Sequence, residues 1–204
     1  MLILASASPR RHELLLAAGI DHVVRPSSVP EHRRPGESPG DFVRRNAEDK
    51  ARAVVSSPED IVLGADTVVC VDEEIFGKPS SDDDAARMLR RLSGRDHEVY
   101  TGICILHGAH RILDVASTRV SFLELTDEEI QEYTRSGEPR DKAGAYGIQG
   151  LASKFVRRIE GCYHNVVGLP VSLVYSHVRA YEASLACRGD YGSRVPGSRS
   201  TGPT

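Results

Sequence analysis

The chain reads as an α/β protein with a mixed sheet flanked by helices, and three features of the sequence predict it. Short apolar runs alternate with amphipathic stretches in the N-terminal half, as in strand–helix units. Ile61 to Val71 is nearly continuous, valine-rich and apolar, the pattern of a central strand buried on both faces. Val99 to Leu106 and Arg111 to Leu125 are long strand-like runs joined through His107-Gly108-Ala109, which predicts an antiparallel pair. With 204 residues and 40% hydrophobic content, one compact domain over residues 1–187 is expected.

Taken in order, Leu2-Ile3-Leu4 is a short strand ending near Ala5. Ser8 is a good N-cap and Pro9 is preorganised for the first helical position, so a helix is predicted from Pro9 to about Ala18. Val23-Val24-Arg25 is a second short strand, followed by a polar loop from Pro26 to Pro35. Ser38-Pro39 repeats the cap signal, and Phe42, Val43, Ala47, Ala51 and Val54 recur at helical spacing to about Val55. The long apolar run that follows is interrupted by Asp66-Thr67. Val71 to Phe76 is a tight turn into another short strand, leading to Gly77-Lys78-Pro79. A helix from about Asp82 to Leu92 opens on three aspartates, which favour its positive end, and stops at Ser93-Gly94. Thr126-Asp127-Glu128-Glu129 is a capping box for a helix through Tyr133. Asp141 to Gly150 has neither period and is read as a functional loop whose glycines allow close approach of a ligand. Pro170 to about Ala186 is the last helix, and the Gly/Ser/Pro/Arg-rich residues 188–204 are expected to be a disordered tail.

Composition narrows the function. A formal charge of −3, 5% aromatic residues and no tryptophan exclude a general nucleic-acid module and argue against an anionic membrane surface, so any positive site is local. No basic leader and no membrane-length apolar run is present, so a cytoplasmic location is expected. The four cysteines form no CxxC pair, which disfavours both disulfides and zinc. The only lysines are Lys50, Lys78, Lys142 and Lys154, and the first three fall in segments singled out on other grounds.

Chemistry concentrates in a few residues. Ser6 to Arg11 joins a strand to a helix N-terminus, where free N–H groups and the guanidiniums of Arg10 and Arg11 form an anion cradle. Asp66, inside an apolar strand, needs a metal, a cation or strong hydrogen bonds; a bulge satisfied by backbone N–H groups is the plainer alternative. Glu31 can be a solvated loop residue or a second carboxylate for a metal, Lys78 a turn lysine or a phosphate contact. Gln149 carries an amide suited to the edge of a nucleobase, or to capping its own loop. The histidines lack ligand spacing and are read as structural.

Ser6-Ala7-Ser8-Pro9-Arg10-Arg11, Ala47 to Ala51, Gly64 to Val69, Gly77-Lys78-Pro79, Leu92-Ser93-Gly94 with His97, Asp141 to Gly150 and Asn165 to Pro170 together resemble the Maf family of nucleoside triphosphate pyrophosphatases, in the family's order over roughly residues 2 to 185. The resemblance implies an elongated α/β fold with two lobes around a cleft, like that of inosine triphosphatases, and a homodimer. It implies hydrolysis of a nucleoside triphosphate to monophosphate and pyrophosphate with magnesium or manganese. Carried over, Asp66 is the general base; Arg10, Thr67 and Gln149 select the base; Ser8, Arg11, Lys50 and Lys78 bind substrate; Glu31 and Asp66 hold the metal. Whether Asp66 acts as base or as ligand stays open. Tyr146 to Gly150 resembles the branch acting on dTTP, UTP and modified pyrimidines, with a 7-methyl-GTP pyrophosphatase or a nucleotide-binding regulator of division as alternatives. Cys162 departs from the small hydroxyl residue expected before Tyr163. The charge balance agrees: Arg10, Arg11, Lys50 and Lys78 can match a triphosphate of about four negative charges in one cleft despite the acidic total.

Overall fold

The computed structural model describes residues 1–191. It divides into a unit spanning Met1–Val171 and a second beginning at Ser172. The first unit holds a seven-stranded mixed sheet. Strands β1 (Leu2–Leu4) and β2 (His22–Val24) and helices α1 (Pro9–Ala17) and α2 (Pro39–Val54) form the N-terminal part. Then come β3 (Ile61–Val71), β4 (Glu74–Phe76), α3 (Asp82–Leu92), β5 (Asp96–His107), β6 (His110–Phe122) and α4 (Asp127–Arg135). Strand β7 (Val156–Glu160) and helix α5 (Tyr163–Val167) close the unit. The sheet order is β2-β1-β3-β5-β6-β7, with β4 beside β3. Strands β1, β2 and β3 are parallel, and β3, β5, β6 and β7 pair antiparallel.

Every helix predicted in this unit forms, within a residue or two at each end. Three strands differ at their limits: β2 runs from His22 to Val24, one residue earlier than expected, β5 begins at Asp96, and β6 ends at Phe122. The segment read as an irregular loop, Asp141 to Gly150, contains a short 3-10 turn at Ala143–Ala145, and another at Glu138–Asp141 leads into it, both too short to leave a periodic signal. Strand β7 was not foreseen. It is an edge strand whose residues are all at least partly exposed, so it lacks the apolar alternation that marks a buried strand. Helix α5 is only a turn and a half long, and its N-cap, Cys162, makes no side-chain capping bond.

Helix α2 lies directly on the sheet because two glycines let it. A Cβ built on Gly64 of β3 would stand 2.0 Å from the Ala47 carbonyl oxygen, and one on Gly102 of β5 would stand 2.4 Å from Val43. Side chains alternate along a strand, so Val62, Gly64, Asp66 and Val68 share the face that α2 covers. Ala47, Ala51, Val54, Ile3, Val62, Cys104 and Leu106 pack at one end of this interface, and Phe42, Val43 and Val68 at the other. Asp66 sits on that same face between the two apolar groups, directly opposite Gly102 in the strand register. On the other face, Ala143–Ala145 lies so close to β3 that a Cβ on Gly144 would meet Val69 at 2.7 Å. An aromatic group of His97, Phe122 and Tyr146 in edge-to-face contact fills the space beside it.

Helix α6 (Val171–Tyr191) starts on the last residue of the first unit and runs on through the second, continuing past Arg188, where the tail was expected to begin. Residues 192–204, the rest of the expected tail, lie outside the described residues. No helix among the described residues is long and apolar enough to cross a membrane.

Candidate active site

Strand β3 is paired unequally on its two edges, and this opens the site. Along one edge β5 pairs with it from Ile61 to Cys70. On the other, β1 ends at Leu4 opposite Leu63, and β4 begins only at Phe76 opposite Val69. Between them the edge of β3 carries no strand, and a cavity of about 780 Å³ opens there, outside the carboxyl ends of the parallel strands. Ser8, Arg10, Arg11, Glu31, Lys50, Asp66, Thr67, Lys78 and Gln149 all line it. Nine residues picked from six separate stretches of sequence are therefore brought to one cavity.

Arg11 takes the place of the missing strand. Its buried guanidinium donates to the carbonyl oxygens of Ala65 and Gly168 at 2.9 and 2.8 Å. It also donates to the hydroxyls of Ser6 and Thr67 at 2.9 and 3.0 Å. Four of its five N–H groups are thus used within the protein, so the forked phosphate contact expected of Arg11 is reduced to one remaining donor. Burial lowers the guanidinium's pKa from its ordinary value, opposed by the nearby charges of Asp66 and Glu31. Thr67 is held in the same cluster, bonding to Thr101 Oγ1 at 2.9 Å.

Arg10, one residue earlier, points outward to Asp141, donating to its carboxylate at 2.8 Å and its carbonyl at 3.1 Å. Burial raises the Asp141 carboxyl, but hydrogen bonds from Lys142 and Arg10 outweigh it and hold the group below its usual range. Ser8 occupies the N-cap position of α1 yet makes no capping bond through its side chain, contrary to expectation. Ser8, Pro9, Arg10 and Arg11 of this first turn all line the cavity, and the N–H groups that open a helix have no partner within it.

Asp66 lies in an unbroken strand, so the bulge reading fails. It is 4% exposed, and its partners are side chains. Lys50 Nζ is 2.6 Å from Oδ1, and Asn46 Nδ2 donates to Oδ2 at 2.9 Å. Lys50, expected to bind phosphate, is 2.7 Å from Glu31 as well, so its ammonium sits between the two carboxylates assigned to a metal. Glu31 reaches this point from an exposed loop that Arg45 pins: the guanidinium donates to the His32 carbonyl at 2.9 Å and to Glu37 at 2.7 and 2.9 Å. Lys78 and Gln149 have exposed side chains with no hydrogen bond or ion pair among the described residues.

Asn46 went unrecognised in the sequence. It stands one helical turn before Lys50 on the otherwise apolar face of α2, and that polar pair inside an apolar stripe was the available signal. His97 is structural, as expected: it is buried and bonds Tyr146 through Nε2 at 2.8 Å.

A family model described as Maf-like protein matches residues 1–181. The chain belongs to the Maf family. Among its Maf relatives, a protein of Koribacter versatilis named dTTP/UTP pyrophosphatase is 52% identical over 179 residues, covering 87% of this chain and 93% of that one. A protein of the same name from Syntrophomonas wolfei is 51% identical over 175 residues, covering 84% and 93%. Of solved structures, a nucleoside-triphosphatase / dITP/XTP pyrophosphatase from Mycobacterium abscessus aligns over 90% of the Maf chain and 96% of its own, with 12% identity and a TM-score of 0.43.

Proposed function

We propose that this chain is a nucleoside triphosphate pyrophosphatase that hydrolyses dTTP, UTP and modified pyrimidine nucleotides between the α and β phosphates. The observation that carries the reading is the meeting of basic groups and two carboxylates in one cavity, in a chain about half identical to relatives named for that activity. In this reading the α1 N-terminus, Ser8, Arg10 and Lys78 hold the phosphates and Gln149 faces the base, while Thr67, its hydroxyl already taken by Arg11 and Thr101, shapes the wall beside it. Arg11 keeps the strand edge in place and offers its last donor. Asp66 orients a water in line with the α phosphorus and takes its proton as the new P–O bond forms. The bond from the α phosphorus to the bridging oxygen breaks, and pyrophosphate leaves with that oxygen.

The donor set suits a divalent ion. Two carboxylates, Asp66 and Glu31, turn toward one positive charge, the Lys50 ammonium. Carboxylate oxygens of this kind would suit magnesium or manganese, with phosphate and water oxygens completing the shell. Such an ion, when bound, neutralises phosphate charge. Lys50 balances the two carboxylates before substrate arrives. A cytoplasmic homodimer belongs to the same reading, and gel filtration reads the dimer.

The test incubates purified protein with UTP, dTTP, CTP, GTP or 7-methyl-GTP and magnesium or manganese, separating products by anion exchange. UMP and dTMP with pyrophosphate, lost in Asp66→Asn, is the expected result. Preference for 7-methyl-GTP would move the chain to that branch, tight binding without turnover would favour a regulator, and diphosphate with inorganic phosphate would overturn the assigned bond.

A further inference from the structure

Three residues of the proposed site, Arg10, Lys78 and Gln149, come from distant segments and are tied to one stretch, Glu138 to Leu151. Arg10 bonds Asp141. The Gly144 N–H bonds the carbonyl of Gly77, the neighbour of Lys78, at 3.0 Å. Gln149 belongs to the stretch itself. The stretch is wrapped around one carboxylate: Glu138 Oε1 accepts the Tyr133 hydroxyl at 2.9 Å, and Oε2 accepts the Leu151 N–H at 3.0 Å. The same hydroxyl accepts the Gly147 N–H at 3.1 Å. The backbone two residues before Gln149 and two residues after it is thereby held by a single pair of side chains.

The wrap is tight. A Cβ on Gly150 would stand 2.4 Å from Glu138 Oε1, and one on Gly147 would stand 2.5 Å from the Lys142 side chain. Lys142 locks the base of the stretch, with Nζ 2.7 Å from both the Glu138 carbonyl and the Asp141 carboxylate. Tyr133 cannot wander: it is 3% exposed and packs edge-on against Phe155 with ring centres 5.4 Å apart. Gln149's own side chain is exposed and lines the cavity. Its backbone is fixed while its amide is left for a ligand.

We propose that Tyr133 and Glu138 are positioning residues for Gln149, and that through it they set the preference for uracil and thymine over other bases. The proposal rests on the reading that Gln149 faces the base. An amide discriminates between bases only if its distance from the base edge is fixed, since a mobile loop lets it follow the wrong base and repair the mismatch. Neither residue touches substrate in this account.

Tyr133→Phe tests it by deleting one oxygen while keeping the buried ring. The expected result is a rise of about tenfold in KM for UTP and dTTP with kcat within about twofold, and a fall of about tenfold in the ratio of kcat/KM for UTP over CTP and GTP. Glu138→Gln, which turns an amide donor toward the Leu151 N–H or the Tyr133 hydroxyl, should move the same ratio. Loss of thermal stability with the ratio unchanged in both variants overturns the proposal, as does an equal loss of kcat for every nucleotide. Wild-type protein that neither binds nor hydrolyses UTP would overturn the reading beneath it, and the proposal with it.

Discussion

The Asn46 amide donates to Asp66 Oδ2 at 2.9 Å, and the direction of that amide is set by its other end, where Oδ1 accepts from Arg45 at 3.1 Å. With Oδ2 occupied, Asp66 has Oδ1, already shared with Lys50, to offer the cavity. Asn46→Leu preserves volume and removes the donor. We expect kcat to fall about tenfold or more, with nucleotide KM little changed, because a small misplacement of a reacting carboxylate is costly. The same change in an Asp66→Asn background should add almost nothing. Steady-state kinetics of the single and double variants check this.

Arg10 and Arg11 are neighbours in sequence but differ in what they hold. Arg11→Lys strips donors from buried acceptors on β3 and at Gly168, and should cost about 2–4 kcal/mol, or roughly 5–15 °C in Tm. Arg10→Lys disturbs a pair whose Asp141 side is 56% exposed, and its effect on Tm should be small. Thermal melts without nucleotide separate the two roles, and equal melting temperatures for both variants would contradict them.

Burial holds His97 neutral, its pKa pulled down to about 4. An unfolded histidine titrates near ~6.5, so between these values the unfolded chain binds the extra proton and the folded one does not. Stability from this residue is therefore full above about pH 6.5 and is lost as pH falls toward 4, by about 3 kcal/mol. His97→Gln retains a polar partner for Tyr146 without titrating. Its urea midpoint should depend less on pH across this window than that of the wild type.

Gly102→Ala should push α2 off the sheet, since its Cβ would meet Val43 at 2.4 Å. A cost of about 3 kcal/mol is expected. Activity should fall further than stability accounts for, because Asn46 and Lys50 ride on the same helix. Gly40→Ala, at a position of α2 with nothing within 4 Å of the new Cβ, is the control. It should be neutral or raise stability by about 0.5–1 kcal/mol.

The sequence by itself determined the α/β class, the helices and most strands, and the stretches that supply the cavity. Caps such as Ser38-Pro39 and the Thr126 box, and the apolar period of α2, act between residues a few positions apart, so they are legible locally. Strand β7 carries little local apolar pattern because it is an exposed edge, and it was not legible. Helix pairs such as Arg52 with Glu48 follow from local spacing, but which partner the side chains at the cavity take was decided by tertiary structure. Arg11 filling the open edge of β3, Lys50 caught between Asp66 and Glu31, and Tyr133 reaching Gly147 all depend on segments far apart in the chain meeting in one register. A side chain's chemistry limits the partners it can accept, but only packing decides which one is within 3 Å.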